Sequence, residues 1–242
     1  MQEPRPPLDN YEQLARMVDY LLLRPDLGEE RVVEGCRLAL DRGIASVTVR
    51  PSDADLAVNL LRGSQTLPGS VVGYPHGFQT TPVKLYEARD LLRRGVREIA
   101  LALNTGKMIS RQFQYAESEL TQMAEACRQE EATLKVLIPA LLAEDLKVVA
   151  CRLCKRAGVD YAVAFASDPQ AGVSADDIRL LAIHCGARVR VSAAGGLNSL
   201  EQVLAAYEAG GERFGAEAPV AILDSWRSEL ARRAEPAGSR PS

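Results

Sequence analysis

One unit recurs along this chain: an amphipathic helical segment, a glycine, and then a short apolar run rich in β-branched residues. The unit can be seen five times, as RLALDRG-IASVTV, DLLRRG-VREIALAL, RLCKRAG-VDYAVAF, LLAIHCG-ARVRVSA and AYEAGG-ERFGA. Glycine suits the left-handed position at which helices commonly end, so each unit predicts a helix followed by a strand. Such alternation is typical of an α/β fold with a parallel sheet.

The apolar runs predict eight strands, at 18–24, 44–49, 70–74, 98–103, 133–139, 161–166, 188–193 and 213–216. The runs are apolar almost throughout, as expected where helices cover a parallel sheet. An open doubly wound sheet would place a glycine-rich phosphate turn after the first strand, where this chain has LRPDLGEE. We therefore predict a (β/α)8 TIM barrel and keep the open sheet as the alternative, and 242 residues is the usual size for one such barrel.

The two ends of the chain differ in composition from the rest. The start, MQEPRPP, is rich in proline, and the end, RRAEPAGSRPS, is small and polar. No internal stretch rich in Pro, Gly or Ser divides the chain. We expect a flexible N-terminal tail at 1–10, a single barrel domain at 11–233 and a flexible C-terminal tail at 234–242.

Composition excludes several classes of protein. A net charge of −3 and the absence of a Lys/Arg block give no electrostatic reason for a nucleic-acid or membrane partner. No apolar run is long enough for a membrane helix and the start lacks a signal-peptide pattern, so we expect a cytoplasmic protein. The five cysteines are odd in number and predict reduced thiols, with Cys151 and Cys154 packed on one helix face. Only two histidines are present, and we predict no metal site.

In such a barrel, ligands bind at the C-terminal ends of the strands. The candidate residues for a small-molecule pocket there are Asp19, Arg24, Arg50, Tyr74, His76, Gln79, Asn104, Lys107, Ser192, Gly195, Gly196 and Glu217. His76 is either an acid or base near neutral pH or a solvated loop residue. Arg24 and Arg50 would favour an anionic ligand, and the alternative for Arg24 is a structural ion pair.

The chain resembles the deoxyribose-phosphate aldolase family from residue 18 to residue 224. The matching stretches are VDYLLLRPD, IASVTVRPSDADLAVNLL, VVGYPHGFQTTPVKLYEA, GVREIALALNTG, LKVLIP, AGVDYAVAFAS, VSAAGGLNSLEQVLAAYEAG and RFGAEAPVAIL. The resemblance implies a (β/α)8 barrel and a homodimer or larger homo-oligomer. It also implies cleavage of deoxyribose 5-phosphate through a lysine Schiff base, with no metal or organic cofactor.

The chain departs from the family at the positions that the resemblance makes catalytic. Val163 stands where the family has its Schiff-base lysine, and Ser192 where it has the second lysine that lowers the pKa of the first. Ala100 replaces the aspartate that shuttles protons. By this resemblance no catalytic residue of the family mechanism remains.

The phosphate end has changed as well. Residues 215–219 read GAEAP, where the family has a small, hydroxyl-rich turn. Glu217 would repel a phosphate dianion and Pro219 removes an N–H donor. Gly195 and Gly196 open a helix with free N–H groups, but Glu217 nearby argues against an anion there. Asp19 and Asn104 match family positions, and we expect them to hydrogen-bond loops at the mouth.

A Schiff base requires a primary amine, and the chain has five lysines, Lys84, Lys107, Lys135, Lys147 and Lys155. Lys84, Lys147 and Lys155 fall in helical patterns outside the barrel, and Lys135 enters the fifth strand near its start, away from the mouth. The family commonly has a lysine at this last place too. That leaves Lys107 as the amine nearest the mouth.

We therefore favour a barrel that has lost Schiff-base aldolase activity and serves as a binding, regulatory or assembly protein. The first alternative is a lyase or other enzyme acting on a small carbonyl or sugar-phosphate compound by altered chemistry, with His76, Tyr74 or Lys107 at work. The second is ordinary deoxyribose-phosphate aldolase activity.

Overall fold

Eight parallel strands close into a barrel in the order in which they occur along the chain. The structure is a computed structural model that describes residues 5–167 and 172–234. The strands are β1 Val18–Leu22, β2 Ser46–Val49, β3 Leu67–Val72, β4 Glu98–Ala102, β5 Thr133–Pro139, β6 Tyr161–Phe165, β7 Arg190–Ala194 and β8 Arg213–Ala216. Pairing of β8 with β1 closes the ring and confirms the predicted (β/α)8 barrel over the open sheet.

Helices surround the barrel and bury its outer face. They are α1 Tyr11–Ala15, α2 Glu29–Arg42, α3 Ala54–Leu61, α4 Thr81–Arg93, α5 Thr105–Ile109, α6 Phe113–Gln129, α7 Glu144–Ala157, α8 Ala175–Cys185, α9 Leu200–Glu208 and α10 Pro219–Ala234. The main apolar core lies between these helices and the strands. Gly43 ends α2 in the left-handed conformation, with φ of 67°, as the repeated helix–glycine–strand pattern predicts.

The third strand differs most from its predicted bounds. It begins at Leu67, three residues before the predicted start, and ends at Val72. Pro68 and Gly69 are disfavoured in strands, which hides this beginning in the sequence. In the barrel, Pro68 pairs with Val47 near the start of β3, where its carbonyl still accepts a hydrogen bond. Because β3 stops early, Tyr74 lies in the loop after the strand.

Residues 5–10, within the predicted N-terminal tail, pack beneath the barrel. Arg5 donates hydrogen bonds to the carbonyls of Gly210 and Gly211, which precede β8. Leu8 is buried, and the indole N–H of Trp226 donates to the carbonyl of Asn10 at 3.0 Å. These contacts hold the segment against α9 and α10. The remaining residues of the predicted N-terminal tail, 1–4, lie outside the described residues. So do residues 235–242, which form all of the predicted C-terminal tail after Ala234.

Candidate functional site

A second apolar cluster fills the inside of the barrel, apart from the main core. Its buried members are Val71, Ala100, Ala102, Leu137, Tyr161, Val163, Phe165 and Ala194, and Leu21, Leu23 and Tyr74 pack on it from the mouth. The rings of Tyr74 and Phe165 meet at a centroid distance of 5.8 Å. This cluster encloses a cavity of about 60 Å³ that opens at the C-terminal ends of the strands, the end at which such barrels bind ligands.

The three positions that the family resemblance makes catalytic all border this cavity. Ala100, Val163 and Ser192 line it, and Val163 lies directly beside Ser192 on the neighbouring strand. The Ser192 hydroxyl donates to the carbonyl of Arg213 at 2.9 Å. The groups at these positions are a methyl, an isopropyl and a hydroxyl that is already hydrogen-bonded, and none of them can form an imine.

Four charged residues, two acids and two bases, lie next to the apolar cluster near the N-terminal ends of the strands; three of them are buried and Arg213 is largely buried. Lys135 Nζ donates to Asp19 Oδ2 at 2.8 Å and to Glu98. The Arg213 guanidinium donates to the same two carboxylates, and the Ser46 hydroxyl donates to Asp19 Oδ1 at 2.7 Å. We call Asp19, Glu98, Lys135 and Arg213 the ionic floor.

The ionic floor has strong internal electrostatics. Burial alone would raise the pKa of Asp19, but Arg213 and Lys135 outweigh this effect and hold that pKa well below its ordinary value. Burial likewise opposes the charge on Arg213, and Asp19 and Glu98 overcome it, so the pKa of Arg213 is raised. Asp19 and Arg213 therefore hold opposite charges near neutral pH.

Among the described residues, Lys135 is the lysine that borders the cavity. Its position near the start of β5 is as predicted, and its side chain points inward and forms part of the cavity floor. Lys107 follows β4 in α5 but does not line the cavity. Its Nζ donates to Gln112 Oε1 at 2.8 Å and lies 4.9 Å from the ring centroid of Tyr115.

The other lysines lie on the helices, as predicted. Lys84 is fully buried against Glu119, and Lys147 pairs with Asp177 at 2.5 Å. Lys155 belongs to α7 and is half-buried.

The two arginines proposed for an anionic ligand are both engaged within the protein. Arg24 forms a bidentate ion pair with Asp26, in which Nε donates to Oδ1 at 3.0 Å and Nη2 donates to Oδ2 at 2.6 Å. This matches the alternative of a structural ion pair. Arg50 donates to Asp53 at 2.6 Å and to the carbonyl of Leu27 at 2.9 Å. Neither arginine borders the cavity.

The loop after β3 brings only Tyr74 of its three candidate residues to the cavity. His76 is exposed and its ring stacks on Phe78 at 5.1 Å, and Gln79 is exposed too. Burial, with a contribution from the Glu217 carboxylate, raises the pKa of Tyr74. Asn104 accepts a hydrogen bond from the backbone N–H of Lys107 and so begins α5.

Two glycines and an acid shape the opposite side of the mouth. Gly195 borders the cavity with φ of 101°, and a side chain there would collide with the carbonyl oxygen of Ala166. Gly196 faces a separate surface depression beside α9. Glu217 is exposed at the rim, and Pro219 begins α10 without an N–H donor.

Sequence reasoning did not single out Glu98 and Arg213 as parts of the site. Each is the first residue of an otherwise apolar strand, and a charge at the edge of a buried run was the available signal.

The five cysteines are free and buried, and burial raises the pKa of Cys36 to about 11 and that of Cys127 to about 12. Within residues 5–167 and 172–234, no three His, Cys, Asp or Glu side chains come together in a way that would hold a metal ion. No helix in this part of the chain is long and apolar enough to cross a membrane.

The fold defines a (β/α)8 barrel with a cavity at its mouth. Comparisons with known proteins narrow this class. The chain is 32% identical over 213 residues to the deoxyribose-phosphate aldolase of Clostridium perfringens, covering 88% of this chain and 95% of that one. The enzyme of that name from Caldanaerobacter subterraneus is 31% identical over 218 residues, which are 89% of this chain and 94% of that one. The chain belongs to the deoxyribose-phosphate aldolase family.

Solved structures agree with this assignment. A tetrameric deoxyribose phosphate aldolase from Aeropyrum pernix superimposes with a TM-score of 0.80 at 25% identity, over 92% of this chain and 94% of that one. No protein-family profile matches the chain.

Proposed function

We propose that this chain is a member of the deoxyribose-phosphate aldolase family without Schiff-base activity, and that it serves as a binding, regulatory or assembly protein. One observation carries the proposal: the only lysine bordering the cavity, among the described residues, is Lys135, and its ammonium is held by Asp19 and Glu98. An imine at Lys135 would break both of these contacts and leave two buried carboxylates without this partner. Imine formation at Lys135 is therefore disfavoured.

The names of the relatives support a second candidate, an active deoxyribose-phosphate aldolase. Under that candidate Lys135 would have to leave the ionic floor and take the role that the family gives to a lysine at position 163. Without the Lys135 ammonium, Arg213 would be the one cation of the ionic floor left to balance the carboxylates of Asp19 and Glu98.

Trapping with borohydride distinguishes the two. Purified protein is incubated with acetaldehyde and sodium borohydride and then mapped by peptide mass. We expect the peptide that carries Lys135 to stay unmodified. We expect the double variant Val163→Lys/Ser192→Lys to gain a trapped adduct at position 163, because the two side chains are neighbours and a second cation lowers the pKa of the first.

The matched control is Val163→Met/Ser192→Met, which adds side chains of similar length without an amine. It should gain no adduct, while the half-buried Lys107 and Lys155 show equal background labelling in all three proteins. An adduct at Lys135 in the wild type, or turnover of deoxyribose 5-phosphate that disappears in Lys135→Arg, would contradict the proposal.

We also propose that the chain forms a homodimer or larger homo-oligomer and works in the cytoplasm. Support for assembly comes from the tetrameric relative and from apolar side chains exposed on and before α4, namely Phe78, Val83 and Tyr86. Support for a reducing compartment comes from the five free cysteines.

A further inference from the structure

The barrel-mouth cavity differs in chemistry from a sugar-phosphate site. We infer that it binds a short, uncharged, largely apolar molecule with one hydroxyl or carbonyl group. This inference rests on the proposed function, since it assigns a ligand class to the same non-catalytic site.

The walls of the cavity are aliphatic and aromatic. Leu21, Val71, Leu137, Val163 and Phe165 supply most of the surface that a ligand would contact. Burial of apolar surface against such walls is the main available source of binding energy, at roughly 25 cal/mol per Å².

The size of the cavity limits the ligand. Its volume is about 60 Å³, so the enclosed space has room only for a small molecule. A phosphorylated pentose is much larger, and most of it would have to lie outside the enclosed space.

The polar groups at the bottom offer little to a ligand because they already have partners. Ser192 donates to a backbone carbonyl, and Asp19 and Lys135 bind each other. Thr48 is different: it borders the cavity and is buried, and its hydroxyl makes no hydrogen bond within the described part of the chain. Thr48 is thus the expected partner for the single polar group of the ligand.

Anions are disfavoured at this mouth. The exposed carboxylate at the rim belongs to Glu217, and the nearby arginines, Arg24 and Arg50, are bound to Asp26 and Asp53. Among the described residues that line the cavity, the one cation is Lys135, which Asp19 and Glu98 already hold, so a negative group entering the cavity would meet the Glu217 carboxylate with no unpaired cation in the lining.

The test uses 2-methylpropan-1-ol as the probe and inorganic phosphate as its anionic counterpart. With methyl-labelled protein, we expect saturable NMR shifts for the methyl groups of Leu21, Val71, Leu137 and Val163 with the alcohol and none with phosphate. Ala100→Leu, which fills the cavity, should weaken alcohol binding at least tenfold. Thr48→Val, which keeps the shape and removes the hydroxyl, should weaken it several-fold.

Ala231→Leu is the matched control, because it adds the same atoms at an exposed position on α10. It should bind the alcohol as the wild type does. Absence of saturable shifts with the alcohol, phosphate binding at the same methyl groups, or equal affinity in wild type and Ala100→Leu would each overturn the inference. An alcohol cannot form an imine, so these outcomes are independent of borohydride trapping and leave the proposed function to its own test.

Discussion

Asp19 joins three other strands to β1, although it is a single residue near the start of that strand. Its carboxylate accepts hydrogen bonds from Ser46 on β2, Lys135 on β5 and Arg213 on β8. Because the residue is buried, the loss of its charge would leave cations without compensation in a low-dielectric interior. Its main effect is on stability.

We predict that Asp19→Asn destabilises the protein by about 3 to 5 kcal/mol at pH 7, the range for breaking a buried ion pair. The folded-state pKa of Asp19 lies below the unfolded value of about 3.9, so its contribution is complete above that pH. As the pH falls below about 4, the unfolded chain takes up the proton first and the contribution is lost. Asparagine does not titrate, so the difference in the free energy of unfolding between the wild type and Asp19→Asn should become smaller below about pH 4.

Urea unfolding of both proteins from pH 7 down to about pH 2 measures this difference. Asp26→Asn is the control, since Asp26 pairs with Arg24 in solvent and its removal should change stability little. A difference that stays constant over the whole pH range would show that the charge of Asp19 is not the cause.

At the scale of the element, Lys84 ties α4 to α6 and to the end of β4. Its ammonium donates to the carbonyl of Ala102 and to Glu119 Oε1, both at 2.8 Å, and Thr81 donates to the other oxygen of Glu119. The sequence predicts Lys84 on a helix outside the barrel, which is right. Its complete burial does not follow from the helical pattern.

We predict that Lys84→Met and Glu119→Gln each lower the free energy of unfolding by about 3 to 5 kcal/mol, because each change leaves the partner's charge buried and unpaired. Lys84→Met/Glu119→Gln should be clearly less destabilised than the sum of the two single changes. A double-mutant cycle of urea unfolding energies gives the coupling. Additive effects would mean that the pair does not couple α4 to α6.

At the scale of the whole molecule, the proposed oligomer can be tested at the exposed apolar residues of α4 and the loop before it. Val83 and Tyr86 lie three residues apart on one helix face, with side chains 54% and 71% exposed. We predict that the wild type sediments as a dimer or larger, and that Tyr86→Glu weakens association by about tenfold or more, as expected for an aromatic residue central to an interface.

Sedimentation velocity over a range of concentrations measures both effects. Leu141→Glu is the control, since Leu141 is similarly exposed, at 64%, but lies in the loop after β5. A wild type that is monomeric at every concentration would contradict the proposed oligomer. If Tyr86→Glu associates as strongly as the wild type, the interface of the oligomer lies elsewhere.

The sequence by itself determined the alternation of helices and strands, because a glycine after each amphipathic segment and an apolar run after each glycine are local signals. It also determined which groups the cavity lacks, since Val163, Ser192 and Ala100 are visible in the chain. Only the tertiary structure decided where Lys135 lies. Its partners Asp19 and Glu98 stand on other strands and meet it only when the barrel closes, which no local pattern can encode.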